Sequence, residues 1–165
     1  MDENALSKCP LFARLTPDEV TRVVGNAKQY SVPENHIFLN MGVANESLFI
    51  VLSGSVCIER PGTETDIELR KLRRGETFGE MSFIDGSKTI AKVTAVEPTE
   101  VLELNSTDFQ RILTDNPVLA SKLWRNLALD FKRRIAITTD LVDFYADLSQ
   151  VLRDNPNVAP ILLGA

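Results

Sequence analysis

The apolar positions of the chain fall into three successive regimes. In 10-PLFARLTPDEVTRVVGNAKQY-30, Val20, Val23 and Val24 give one apolar face at helical spacing. Thr16 suits the N-cap, Pro17 the first helical position, Asp18 and Glu19 the positive end of the dipole, and Gly25 the termination. This stretch predicts a short turn followed by a helix. From 31 to about 104 the pattern changes to short extended runs broken by turn residues: SVPENHIFLNMG, ESLFIVLSGSVCIE, IELRKLRRGETF and IAKVTAVEPTEVLEL. Pro61-Gly62 marks a hairpin end, and Gly54 a tight bend or bulge. Leu48 to Leu52 and Val101 to Leu104 supply the inside. Many short strands at regular spacing predict an antiparallel sandwich or barrel built of hairpins. After that, Asn105 or Ser106 opens a short helix, Pro117 starts the next, and neither proline nor glycine follows until past Leu152. The expected fold is α+β: an antiparallel β-roll, a jelly-roll-like barrel, with an N-terminal helix and a long C-terminal one. The expected divisions are a tail over 1–9, the main domain over 10–116, the long helix over 117–152 and a second tail over 153–165.

The long helix carries its own pattern. Leu127, Phe131, Thr138, Leu141, Tyr145, Leu148 and Leu152 fall on an a/d seam, with Arg134 as its polar member, and Trp124 extends it backward by a turn. A small roll cannot cover a helix roughly 50 Å long. The far part is therefore expected to pair with the same helix of a second copy, giving a homodimer; the alternative is packing on its own roll.

Composition narrows the function. The 165 residues are 44% hydrophobic and 25% charged with net charge −5, so there is no overall attraction to phosphate backbones or anionic lipid. MDENALSKCP lacks the features of a signal peptide and no run approaches the length of a membrane helix, which places the expected protein in the cytoplasm. Cys9 and Cys57 stand far apart without a CxxC and read as reduced, buried thiols. With His36 as the one histidine, neither a zinc-type metal site nor a nucleophile–base pair is supported, so neither enzyme nor cofactor is expected.

Three spaced segments add a family. The segment 32-VPENHIFLNMGVANESLFIVLSGSV-56, with Gly42 and Gly54 and with Asn35 at a third turn, is followed by 74-RGETFGEMSFI-84 and by 108-DFQRILTDNP-117. Over about residues 10 to 145 the chain resembles the cyclic-nucleotide-binding domains of catabolite-activator-type transcription factors, protein kinase A regulatory subunits and nucleotide-gated channels. The resemblance implies a phosphate-binding cassette at 78-FGEMSFIDGSKTIAKVTA-95, and cyclic AMP or cyclic GMP as ligand. In the family a glutamate accepts from the ribose 2′-hydroxyl, helix-start amides meet the cyclic phosphate, and an arginine pairs with its charge.

Carried onto this chain, the glycine is Gly79, the glutamate Glu80, and the amides those of Met81 and Ser82. The arginine position falls on Thr89, with Ile90 and Ala91 following, so the guanidinium is absent. Lys88 can supply the charge only through a bulge and otherwise reads as a solvated lysine. Arg134, beside Lys132 and Arg133, is placed either to cap a base or reach a phosphate, or within a solvated or interhelical basic cluster. Glu80 also suits the role of a helix cap. With 150-QVLRDNPNVAPILLGA-165 following the long helix, no helix-turn-helix is expected, and Arg70, Lys71, Arg73 and Arg74 alone do not make a DNA reader. The expected function is thus a non-enzymatic signalling sensor with altered cyclic-nucleotide binding. The alternatives are a dimeric scaffold that uses the degenerate domain to bind a protein, and a sensor of cyclic di-GMP.

Overall fold

The computed structural model describes residues 3–62 and 66–154, with side chains described within 5–139. Helix α1 (Glu3–Lys8), a 3-10 turn (Pro10–Phe12) and helix α2 (Pro17–Val24) precede strands β1 (Lys28–Val32), β2 (Ile37–Leu39), β3 (Ser47–Ser53), β4 (Ser55–Arg60), β5 (Ile67–Arg73) and β6 (Thr77–Phe78). Helix α3 (Glu80–Asp85), strands β7 (Lys92–Ala95) and β8 (Thr99–Asn105), and helices α4 (Ser106–Asp115) and α5 (Pro117–Asp154) complete the order.

The strands form two antiparallel four-stranded sheets, ordered β1-β8-β3-β6 and β2-β7-β4-β5. The hydrophobic core between them draws on both: Phe49, Val51, Phe78 and Val101 from the first, and Leu39, Val56, Leu72 and Val93 from the second. Phe49 and Phe78 are cross-strand partners and stack with ring centroids 4.8 Å apart. The expected inside runs are inside, since Leu48, Ile50, Val51, Leu52, Val101 and Leu102 have no exposure. Period two alone does not account for them. Every residue from Leu48 to Leu52 is buried because the outer face of β3 is covered as well, in part by α1 and α3.

Local chemistry sets the helix ends. Thr16 accepts from Glu19 N at 3.2 Å and Glu19 Oε2 accepts from Thr16 N at 2.8 Å, a reciprocal capping box that starts α2. Asn105 Oδ1 accepts from Thr107 N and caps α4. Asn35 takes a positive φ of 67°, which asparagine tolerates better than most residues. The segment expected as an N-terminal tail instead contains α1, with Ala5, Leu6 and Cys9 buried. Six residues do not hold a helix by propensity; α1 is stabilised by packing over the Gly75 turn, where a Cβ would lie 3.2 Å from Lys8 Cβ.

The chain divides into two compact units, residues 1–126 and 127–165. In the first, the start of α5 buries Leu119 and Leu123, and Asn126 Nδ2 donates to the carbonyls of Leu11 and Ala13 at 2.9 and 2.7 Å. In the second, α5 continues to Asp154, completing the 38 residues that start at Pro117. Thr138 and Thr139 turn their hydroxyls back onto the carbonyls of Arg134 and Ile135.

Candidate ligand-binding site

The site is built on a turn that only glycine fits. Gly79 lies in the left-handed region at φ 83°, and a Cβ there would sit 2.6 Å from Ser47 O and 3.1 Å from Asn45 Nδ2. The turn launches α3 from the end of β6 and brings Glu80 inward: it is 7% exposed, with Oε2 shielded from solvent. Met81 faces outward, while Ser82 and Phe83 are buried. Gly86, also left-handed at φ 69°, ends the helix, its N–H donating to Ser82 O at 2.8 Å. Asp85, the last residue of the helix, is held below its ordinary value by donation from the side chain and amide of Ser87.

Four of the expected residues, Gly79, Glu80, Met81 and Ser82, thus form one turn and the beginning of one helix. At the back of the segment the structure is specific about Thr89. Its side chain is 8% exposed and its hydroxyl bonds to the carbonyls of Asn40 and Val43 while accepting from Val43 N at 3.3 Å. The backbone is tied to the same place, with Thr89 N donating to Val43 O at 2.9 Å and Gly42 N to Thr89 O at 2.7 Å. Thr89 is therefore a seam with the loop between β2 and β3. Lys88 and Ile90 are exposed while Thr89 and Ala91 are buried, and Lys88 forms a plain antiparallel bridge with Ala44. The alternation persists without the bulge that Lys88 requires in order to turn inward.

Arg134 lies in the second unit. Its Nε donates to Asp130 Oδ2 at 2.6 Å and Arg133 Nη2 to Asp130 Oδ1 at 2.7 Å, so the carboxylate one turn earlier gathers both arginines. Of the seam, Leu127 is buried, Phe131 half-buried and Thr138 exposed; the side chains of Leu141, Tyr145, Leu148 and Leu152 lie outside the described residues.

Sequence reasoning overlooked Asn45. It is 9% exposed, and its Nδ2 lies 2.7 Å from Ser47 O, 3.2 Å from Gly79 O and 3.1 Å from Ser82 Oγ, while Oδ1 accepts from Ser47 N at 3.1 Å. One signal was legible: an asparagine two residues before a strand commonly accepts from the amide two positions on. Sequence reasoning also overlooked an aromatic chain from the site to α5. Phe83 meets Phe109 at 5.1 Å, and Phe109 meets Trp124 at 6.5 Å, both edge to face.

The other expected residues are in place. Cys9 and Cys57 are buried free thiols, and burial together with Glu68 pushes the Cys57 thiol up to about 11. His36 is exposed just ahead of β2, its ring 4.9 Å from that of Phe38. In the basic cluster, Arg70 pairs with Glu76 at 2.6 Å. Among the described residues no group of three or more His, Cys, Asp or Glu is placed to hold a metal ion, and no helix is long and apolar enough to cross a membrane.

Comparison with known proteins gives a consistent result. Residues 29–116 match the family of the cyclic nucleotide-binding domain. A cyclic AMP receptor protein of Thermus thermophilus is 33% identical over 141 residues, which is 82% of this chain and 62% of that protein. A cyclic nucleotide-gated potassium channel of Mesorhizobium japonicum is 31% identical over 121 residues, 73% of this chain and 32% of the channel. The chain thus spans between about a third and under two thirds of these relatives' length. The crystal structure of the Thermus thermophilus catabolite activator protein superposes with a TM-score of 0.68 at 32% identity, covering 82% of this chain and 63% of that one. A cyclic nucleotide-binding domain from Methylobacillus flagellatus shares the fold, with a TM-score of 0.77 at 24% identity over 86% and 80% of the two chains. With the two sheets, the glycine turn and the buried glutamate in place, the chain belongs to the cyclic nucleotide-binding domain family.

Proposed function

We propose that this chain is a non-enzymatic, cytoplasmic sensor of a cyclic mononucleotide whose affinity is reduced by the loss of the cassette arginine. The observation that carries this reading is the pairing of a retained front half, Gly79 with buried Glu80, and a back half in which Thr89 is spent on the loop backbone. Glu80 remains suited to a ribose hydroxyl. Loss of one partner of a buried charge pair costs about 2 to 5 kcal/mol, or roughly 30-fold to several thousandfold in dissociation constant. Low-micromolar binding becomes about 0.1 mM or weaker on that scale. Occupancy at Glu80 is reported through Phe83 and Phe109 to Trp124, the one tryptophan of the chain and therefore a single-site fluorescence reporter.

Titration calorimetry and tryptophan fluorescence with cyclic AMP, cyclic GMP and cyclic di-GMP test the reading. Weak, saturable binding of a cyclic mononucleotide is expected, tightened by about tenfold or more in Thr89→Arg. Saturation by cyclic di-GMP alone transfers the site to a dinucleotide. No binding to wild type or to Thr89→Arg leaves a protein scaffold as the function, a reading favoured by the exposure of Met41, Val43 and Ile90 around the Thr89 seam. In either case the α5 seam is proposed to form a homodimer, so light scattering is expected to report a monomer for Leu141→Asp; an unchanged dimer mass rejects the seam.

A further inference from the structure

The least expected polar group in this fold is the buried carboxamide of Asn45. It sits in the loop before β3, yet two of its contacts are 34 and 37 residues away, at the Gly79 carbonyl and the Ser82 hydroxyl. Those two groups flank Glu80: one belongs to the residue before it, the other to the second residue after it. Ser82 Oγ closes the figure by reaching back to Gly79 O at 3.3 Å. The far side of the carboxamide is fixed by β3, with Oδ1 held by Ser47 N and Nδ2 drawn to Ser47 O.

From this geometry we infer that Asn45 is the positioning residue for Glu80, setting the Glu80 carboxylate at the depth and angle required for a ligand hydroxyl. The inference rests on the reading of the cassette as a cyclic-mononucleotide site. The physical reason is that Gly79 is a swivel. A left-handed glycine has the freest backbone in the chain, and α3 is a six-residue helix with little intrinsic stability. Something outside the helix must fix its direction, and the carboxamide grips both the swivel and the first turn. Its position also accounts for part of the glycine requirement, because Asn45 Nδ2 stands 3.1 Å from where a Cβ at Gly79 would be. A packing residue would fill this space with methyl groups, whereas a carboxamide supplies donors in fixed directions.

The experiment uses the full chain with three variants: Asn45→Ala, which removes the grip; Ser82→Ala, which removes one arm; and Asn45→Asp, of the same shape but with an acceptor where Nδ2 donates. Affinity for cyclic AMP and cyclic GMP is measured by calorimetry, and hydrogen exchange is followed for the amides of α3 and of β3 and β8. Positioning predicts that Asn45→Ala weakens binding by about tenfold or more and Ser82→Ala by less. It also predicts faster exchange confined to residues 79–86, with β3 and β8 as protected as in wild type. For Asn45→Asp, affinity relative to wild type should recover as pH falls and the acid protonates, because the protonated group regains one donor. Unchanged affinity with unchanged α3 exchange overturns the inference, as does a uniform rise of exchange across α3, β3 and β8, which marks a purely structural residue. If wild type binds neither nucleotide, the cassette reading fails while the exchange pattern still decides whether Asn45 orients α3.

Discussion

Gly79 and Gly86 make a matched pair at the two ends of α3. Both lie in the left-handed region, at φ 83° and 69°, so alanine at either meets the same backbone penalty of about 1 to 2 kcal/mol. They differ in surroundings. A Cβ at Gly86 meets nothing within 4 Å, whereas one at Gly79 falls 2.6 Å from the Ser47 carbonyl oxygen, which belongs to a strand and cannot rotate aside. Forcing a methyl group into such a space adds about 1 to 3 kcal/mol. Gly86→Ala is therefore expected to lose about 1 to 2 kcal/mol and Gly79→Ala about 2 to 5 kcal/mol. In urea denaturation with an m-value near 2 kcal/mol/M, the two midpoints separate by roughly 0.5 to 1.5 M. Equal midpoints would show that the close approach between the Gly79 turn and β3 does not exist, and with it would go the account of how Glu80 is buried.

The remaining predictions are simpler. Glu19 is held below its ordinary value chiefly by its hydrogen bond with Lys122, at 2.6 Å, so its contribution is present above pH 4.5 and is lost as pH falls through the lower folded value. Glu19→Gln keeps the capping geometry but not the charge; its stability deficit should shrink as pH falls from about 6 to about 3, and a constant deficit refutes the linkage. Cys57, buried and titrating at about 11, should resist alkylation at neutral pH until the chain is unfolded with denaturant; rapid labelling of the native protein contradicts its placement in β4. Leu72, with no exposure and a place in the core between the sheets, should cost about 2 to 5 kcal/mol as alanine, measured by the same urea titration.

What could be read from the sequence alone was the chemistry that closes over a few residues. Thr16 and Glu19, Asn105 and Thr107, and the positive φ of Asn35 each depend on partners within about one turn, which a linear chain displays. The glycine–glutamate pair at 79–80 was legible only through the resemblance to a family, since what crowds Gly79 is the distant Ser47 carbonyl. The Gly54 bend was visible too, but not its cause beyond the turn, a Cβ position 2.5 Å from Pro98 O. What tertiary structure alone decided is long-range. Strand order β1-β8-β3-β6 joins segments up to about 75 residues apart, the Thr89 hydroxyl finds partners 46 and 49 residues away, and Asn45 reaches α3 across 34 and 37. The short α1 belongs here as well, since it packs against β3 and over the Gly75 turn, both far later in the chain. The physical reason is common to all of these. A hydroxyl or carboxamide has several partners of equal chemistry in the sequence, and only the closed sheets decide which of them is within 3 Å.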